Sequence, residues 1–149
     1  MISMKIASGL FAFLALILPG SEISEKAKSV VKISYDLIYD SDESGNSEIY
    51  RLNLESGEKK RLTDYPMTDG YQALSPDGQR IAFYAYYDNG RTWSIHTMNI
   101  DGGDRKRLTH LKNARDSSPS WSPDGKTIIF SRSFQGQYQI WRMNVSGGE

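Results

Sequence analysis

A tetrapeptide that returns after 47 residues constrains this chain more than any other feature: Ser75-Pro76-Asp77-Gly78 reappears as Ser122-Pro123-Asp124-Gly125. Arg61-Leu62-Thr63 returns as Arg107-Leu108-Thr109, 46 residues later. Asn53, Asn99 and Asn144 each follow a short apolar-rich run, at spacings of 46 and 45. Residues 37–58 lie on 128–149 at a constant offset of 91 with no gap. Self-similarity at about 40–50 residues marks a repeat architecture, in which each unit buries its faces against its neighbours.

Each unit reads as four short strands. In the middle unit these are Tyr71–Leu74, Arg80–Tyr86, Trp93–Ile100 and Arg105–Thr109. Ser-Pro-Asp-Gly joins the first pair: proline pre-sets φ, aspartate bonds back to the local backbone, and glycine accepts the positive φ. Asp88-Asn89-Gly90 joins the second pair, with Gln135-Gly136-Gln137 in the last unit. Asp101-Gly102-Gly103-Asp104 joins the third, with Glu55-Ser56-Gly57-Glu58 earlier. Glycine-containing loops between aromatic and β-branched runs signal hairpins. Ile81-Ala82-Phe83-Tyr84 and Ile128-Ile129-Phe130 are apolar on consecutive residues, which predicts a sheet covered on both faces. No long helical pattern follows residue 35. The reading is all-β: a β-propeller of four-stranded antiparallel blades.

Pro119-Ser120-Trp121-Ser122-Pro123-Asp124-Gly125-Lys126, followed by Ile128-Ile129-Phe130, resembles the WD40-like β-propeller repeat (PD40) of the TolB family. Ile140-Trp141-Arg142-Met143-Asn144-Val145 with its Gly-Gly turn, and Arg107-Leu108-Thr109, carry the same resemblance. It covers roughly residues 37–149. It implies an envelope protein partner, such as a peptidoglycan-associated lipoprotein of a Tol–Pal system. Propellers of this kind are also attached to hydrolases such as prolyl-oligopeptidase-like peptidases. Two departures stand out. TolB carries a separate α/β domain before its propeller, and the 16 or so residues between the leader and the first strand cannot hold one. The first unit lacks Ser-Pro-Asp-Gly, having Val31-Lys32-Ile33-Ser34 instead, and the last stops at Gly147-Gly148-Glu149. One complete blade flanked by two partial ones is therefore expected, where propellers close with about 4–8. A fragment or truncated product follows, or a ring closed by further copies.

The expected organisation is a signal peptide or N-terminal anchor at 1–20, a linker or degenerate first strand at 21–36, and the partial propeller at 37–149. Lys5 precedes the apolar stretch Ile6–Leu18, too short to span a bilayer comfortably and matched to a signal-peptide core. Pro19-Gly20-Ser21 supplies the break, with a cut expected after Gly20. Export to the periplasm or the medium follows, with membrane contact only through this segment. The chain has 18 basic and 18 acidic residues, so net charge gives no reason to expect nucleic acid as a partner. Lys59-Lys60-Arg61 recurs as Arg105-Lys106-Arg107 on the outermost strand. It reads as edge charge that discourages strand pairing rather than as a binding stripe. With no cysteine, disulfides, thiolate catalysis and cysteine-ligated zinc are excluded.

Catalytic motifs are missing. Gly45-Asn46-Ser47 runs into Glu48-Ile49 where a nucleophile elbow needs a second glycine, and there is no phosphate loop. His96 and His110 have no companion motif and read as strand-surface residues. Neither a catalytic residue nor a bound cofactor is expected. The one metal candidate is Asp40-Ser41-Asp42-Glu43-Ser44-Gly45-Asn46-Ser47-Glu48, where Asp40, Asp42, Ser44 and Glu48 could offer oxygens to calcium. Arg51 takes the place of the bidentate glutamate, and the aligned loop 131–139 carries no carboxylate. Trp93, Trp121, Trp141, Tyr84, Tyr86 and Tyr87 read as inter-blade packing, because aromatics recur at fixed places in the blade. The functional expectation is a non-enzymatic, exported binding module, with Asp88–Arg91 and Lys112–Ser117 as candidate recognition loops. The alternatives are an accessory propeller of a larger hydrolase, or a fragment without independent function.

Overall fold

A computed structural model describes residues 35–146; the expected leader, nearly all of the linker and the last three residues lie outside the described residues. Ten strands follow one another: β1 (Asp36–Ser41), β2 (Glu48–Asn53), β3 (Lys59–Arg61), β4 (Asp69–Leu74), β5 (Arg80–Tyr87), β6 (Thr92–Asn99), β7 (Lys106–Arg107), β8 (Arg115–Trp121), β9 (Thr127–Phe134) and β10 (Gln137–Asn144). They form a three-stranded blade (β1–β3), a four-stranded blade (β4–β7) and a second three-stranded blade (β8–β10), each antiparallel within itself. One parallel bridge, Trp93 opposite Arg115, joins the middle blade to the last. The four strands expected for the middle unit are all present, the outermost reduced to two residues.

The recurring motifs build the same bonds in each blade. Ser75 Oγ donates to Asp77 Oδ1 (2.5 Å) and accepts from Arg80 N (2.9 Å); Gln79 N donates to Asp77 Oδ1 (3.0 Å). Ser122, Asp124, Lys126 and Thr127 repeat the set at 2.6, 2.9 and 3.1 Å. Gly78 and Gly125 close these turns at φ 72° and 69°. Arg-Leu-Thr has an equally local cause. Thr63 Oγ1 accepts Ile49 N–H and Thr109 Oγ1 accepts Ile95 N–H, both at 2.9 Å, where the outer strand leaves its neighbour. Arg61 and Arg107 each donate Nε to the threonine carbonyl, at 2.7 and 2.8 Å. The inner strands also share a bulge: the register of β4 shifts between Gly70 and Ala73, that of β8 between Ser117 and Ser120. Tyr71 and Ser118, 47 residues apart, sit there at φ 48° and 53°.

The consecutive apolar run of β5 divides between two interfaces. Ile81, Phe83 and Ala85 join Ile49 and Met98 in a buried cluster toward the first blade. Ala82 and Tyr84 join Ile95, Trp121, Ile128, Phe130 and Met143 in a cluster toward the last. Trp93, Tyr86 and Trp141 pack against that second cluster and Tyr87 against the first, as expected for inter-blade aromatics. Each buried Phe or Ile contributes roughly 1.5–3 kcal/mol, so packing between blades dominates the stability. The run in β9 behaves differently. Ile128 and Phe130 are buried, but Ile129 is 47% exposed, and its neighbours Tyr138 and Ile140 are 81% and 77% exposed. These three stand at the repeat positions of Ala82, Trp93 and Ile95, which in the middle blade are covered by the last one.

A cleft at the variable end of the blades

The two ends of the blades differ. At one end the Ser-Pro-Asp-Gly turn recurs unchanged. At the other, the central hairpin loops shrink from six residues (42–47) through four (88–91) to two (135–136). Here the middle and last blades leave an open cleft of about 410 Å³, lined by Arg91, Asn113, Arg115, Ser133, Gln135 and Gly136. Both candidate recognition loops contribute to it. The β9–β10 turn, which the sequence marks as the hairpin loop Gln135-Gly136-Gln137, supplies the third wall.

These walls are fixed by bonds to the blades. Asp88, Asn89 and Gly90 are all left-handed, at φ 50°, 53° and 80°. Non-glycine residues adopt this conformation when the surroundings impose it. Thr92 Oγ1 donates to Asp88 Oδ2 (2.9 Å), and Trp93 Nε1 donates to Gly90 O (3.0 Å). The same Thr92 oxygen accepts Asn113 N–H (3.1 Å), and Trp93 N–H bonds Ala114 O (2.9 Å). Gln135 and Gly136, at φ 51° and 79°, make a tight hairpin closed by the Phe134–Gln137 pair. Arg115 lies where β6, β8 and β9 meet, opposite both Trp93 and Ser133, with its guanidinium 5.2 Å from the Trp93 ring centre. Trp93 stacks on Tyr86 at 4.8 Å as well.

The titratable residues singled out in the sequence sit elsewhere. Asp40, Asp42 and Ser44 are solvent-exposed or nearly so, whereas Glu48 is fully buried. The Glu48 carboxylate accepts from Arg61, Asn46 and Tyr65 N–H at 2.9–3.0 Å and from the Thr63 hydroxyl. The structure thus does not bring the four calcium candidates together, and no group of three or more such ligands gathers among the described residues. His110 is exposed, but His96 is a correction: it is buried, not a strand-surface residue. Its ring stacks on Tyr87, its Nε2 lies 2.9 Å from the Tyr87 hydroxyl, and its Nδ1 has no partner. Burial, with Arg105 and Arg107 nearby, pushes its pKa down to about 3. The repeat held the signal, since His96 aligns with Tyr50 and Trp141, an aromatic slot.

Two buried carboxylates escaped the sequence reading. Asp69 takes a two-pronged bond from Arg105 (2.6 and 3.0 Å), and Asp116 one from Arg132 (2.7 and 2.8 Å). Their spacing of 47 was the available clue. The basic clusters are largely engaged too: Lys59 with Glu43, Arg61 with Glu48 and Asp64, Lys106 with Asp104. Arg91 and Arg115, like Lys112, Lys126 and Arg142, have no carboxylate partner among the described residues, but of these five only Arg91 and Arg115 line the cleft.

Residues 29–149 match the TolB beta propeller domain, PD40. The chain belongs to that family. Among similar proteins, dipeptidyl-peptidase 5 of Porphyromonas gingivalis is 37% identical over 134 residues, covering 87% of this chain. The Tol-Pal system protein TolB of Francisella tularensis subspecies mediasiatica is 36% identical over 88 residues, covering 58%. The chain spans 19% of the length of each. In three dimensions, TolB from Acinetobacter baumannii superposes with a TM-score of 0.64 at 28% identity, covering 76% of this chain and 28% of that one. The TolB-like propeller is thus common to both comparisons, and the cleft lies between two of its blades.

Proposed function

We propose that this TolB-like propeller is a non-enzymatic binding module, exported to the periplasm or beyond, that engages a protein partner of the cell envelope. One observation carries the reading: three pinned loops from two blades converge on one cleft, at the end of the blades where the repeat departs from itself. Repeated residues serve the fold that every blade shares, and unrepeated loops held on a rigid frame are where binding residues concentrate. Because the loops are already bonded to their blades, a partner would order little chain on docking. The Tol-Pal assignment of the Francisella relative supports an envelope partner, and a lipoprotein is the class that resemblance favours. Export rests on the apolar stretch Ile6–Leu18. The test is a pull-down from an envelope extract with the tagged full chain; a specific, saturable protein partner is expected, and its absence refutes the proposal.

The likeness to dipeptidyl-peptidase 5 over most of this chain favours a second reading, an accessory propeller of a peptidase. The gene sequence distal to the Glu149 codon separates them: further blades followed by a stop support the first, and a domain bearing Gly-x-Ser-x-Gly supports the second.

A further inference from the structure

We infer that the cleft between Arg91 and Arg115 receives carboxylates of an acidic, extended peptide segment, an assignment that deepens, and rests on, the binding-module reading. The chain is electrically balanced, with 18 residues of each sign, and most arginines and lysines of the blade edges are paired or hydrogen-bonded. Among the described residues, the side chains of Arg91, Lys112, Arg115, Lys126 and Arg142 have neither a carboxylate nor a hydrogen-bond acceptor, and two of these five, Arg91 and Arg115, line one cleft. An anion in the cleft would be attracted by both positive charges. Asp88, the carboxylate of the same loop as Arg91, is not among the lining residues and accepts from the Thr92 hydroxyl at 2.9 Å.

The geometry suits a carboxylate. A guanidinium presents a planar fork that matches a carboxylate in two parallel hydrogen bonds. Arg115 lies over Trp93, so its orientation is restricted before the ligand arrives. Asn113, Ser133 and Gln135 add neutral donors and acceptors around the rim, which suit the peptide groups flanking an acidic side chain. A nucleic acid fits less well, because Trp93 has no open face for a base: Tyr86 stacks on it at 4.8 Å and Arg115 lies 5.2 Å from its centre. An apolar small molecule fits less well too, since such ligands favour enclosed pockets lined by hydrophobic side chains, and this cleft is open and lined by no hydrophobic residue.

The test uses the full chain with fluorescein-labelled hexaglutamate, measured by anisotropy at low ionic strength, and hexaglutamine as the uncharged counterpart. Hexaglutamate is expected to bind, hexaglutamine is not. Arg91→Glu and Arg115→Glu should each weaken binding at least tenfold, and Arg115→Gln, which removes the charge without reversing it, by a smaller factor. Lys126→Glu, at the opposite end of β9, should change it less than twofold. Equal losses in Arg91→Glu and Lys126→Glu would mean diffuse charge attraction and overturn the assignment, as would equal affinity for hexaglutamine. Inorganic phosphate binding as tightly as hexaglutamate would reassign the cleft to a free anion. A parallel envelope pull-down distinguishes the two levels: partner recovery unchanged by Arg91→Glu overturns the cleft alone, while no partner for either protein overturns the binding module.

Discussion

His96 gives the sharpest quantitative prediction. Its ring is buried between blades, beside Arg105 and Arg107, so charging it in place is costly, and its pKa falls from the ordinary 6.5 to about 3. In the unfolded chain the same side chain titrates near 6.5. Between those values the unfolded state binds a proton that the folded state refuses, so stability rises with pH across that window and is lost as pH falls. The loss approaches about 1.4 kcal/mol per pH unit below 6.5 and reaches about 2 kcal/mol at pH 5.0 relative to pH 7.5. With a urea slope of roughly 1–3 kcal/mol/M, that is a midpoint shift of about 0.7–2 M.

The comparison protein is His96→Phe. The aligned residues Tyr50 and Trp141 show that the slot accepts an aromatic ring without a titrating nitrogen. The substitution removes the contact to the Tyr87 hydroxyl, and Tyr87 is only half-buried, so water can replace it. Other groups titrate in the same range. Burial pushes the Asp69 carboxyl up to about 6, and its protonation favours the folded state as pH falls, opposite in sign to His96. Asp69 is present in both proteins, so the difference between them isolates His96. Urea unfolding of both chains at pH 7.5, 6.5, 5.5 and 5.0, followed by tryptophan fluorescence, should show the wild type losing about 2 kcal/mol more than His96→Phe. Parallel curves, within about 0.5 kcal/mol at every pH, would refute a neutral, desolvated His96.

Three further outcomes follow from the same interfaces, each read by urea unfolding. Thr109→Val strands the buried Ile95 N–H and should cost about 1–3 kcal/mol; Thr63→Val should cost more, because the buried Glu48 also loses a donor. Asp116→Ala leaves Arg132 buried without its carboxylate and should cost roughly 3–5 kcal/mol, whereas the double substitution Asp116→Leu with Arg132→Met should restore most of that loss. Ile95→Lys should abolish cooperative unfolding, while Ile140→Lys at the equivalent position of the last blade should stay within about 0.5 kcal/mol of wild type.

What the sequence displayed was whatever every blade needs. The Ser-Pro-Asp-Gly turn, the Arg-Leu-Thr threonine and the doubly apolar β5 were legible because each is a local solution repeated at a fixed period. Burial at a given residue was less legible, because it depends on which neighbour covers a face. Ile81-Ala82-Phe83 and Ile128-Ile129-Phe130 read alike, yet Ala82 is covered and Ile129 is half exposed. The burial of His96 has a related cause: the lack of a companion motif speaks only against catalysis, while the aromatic residues at its repeat positions indicate an interface.

The cleft inverts that logic. Arg115 stands 47 residues after Thr68, and Arg91 belongs to a loop whose length differs in every blade, so neither belongs to the repeat. A residue the repeat does not require, left without an ion-pair partner in a charge-balanced chain and held on a pinned loop, contributes little to the fold that its neighbours do not already supply. Subtracting the repeat from the sequence therefore isolates positions free to answer to a ligand, and at this end of the blades the structure places two of them, both cationic, on one cleft.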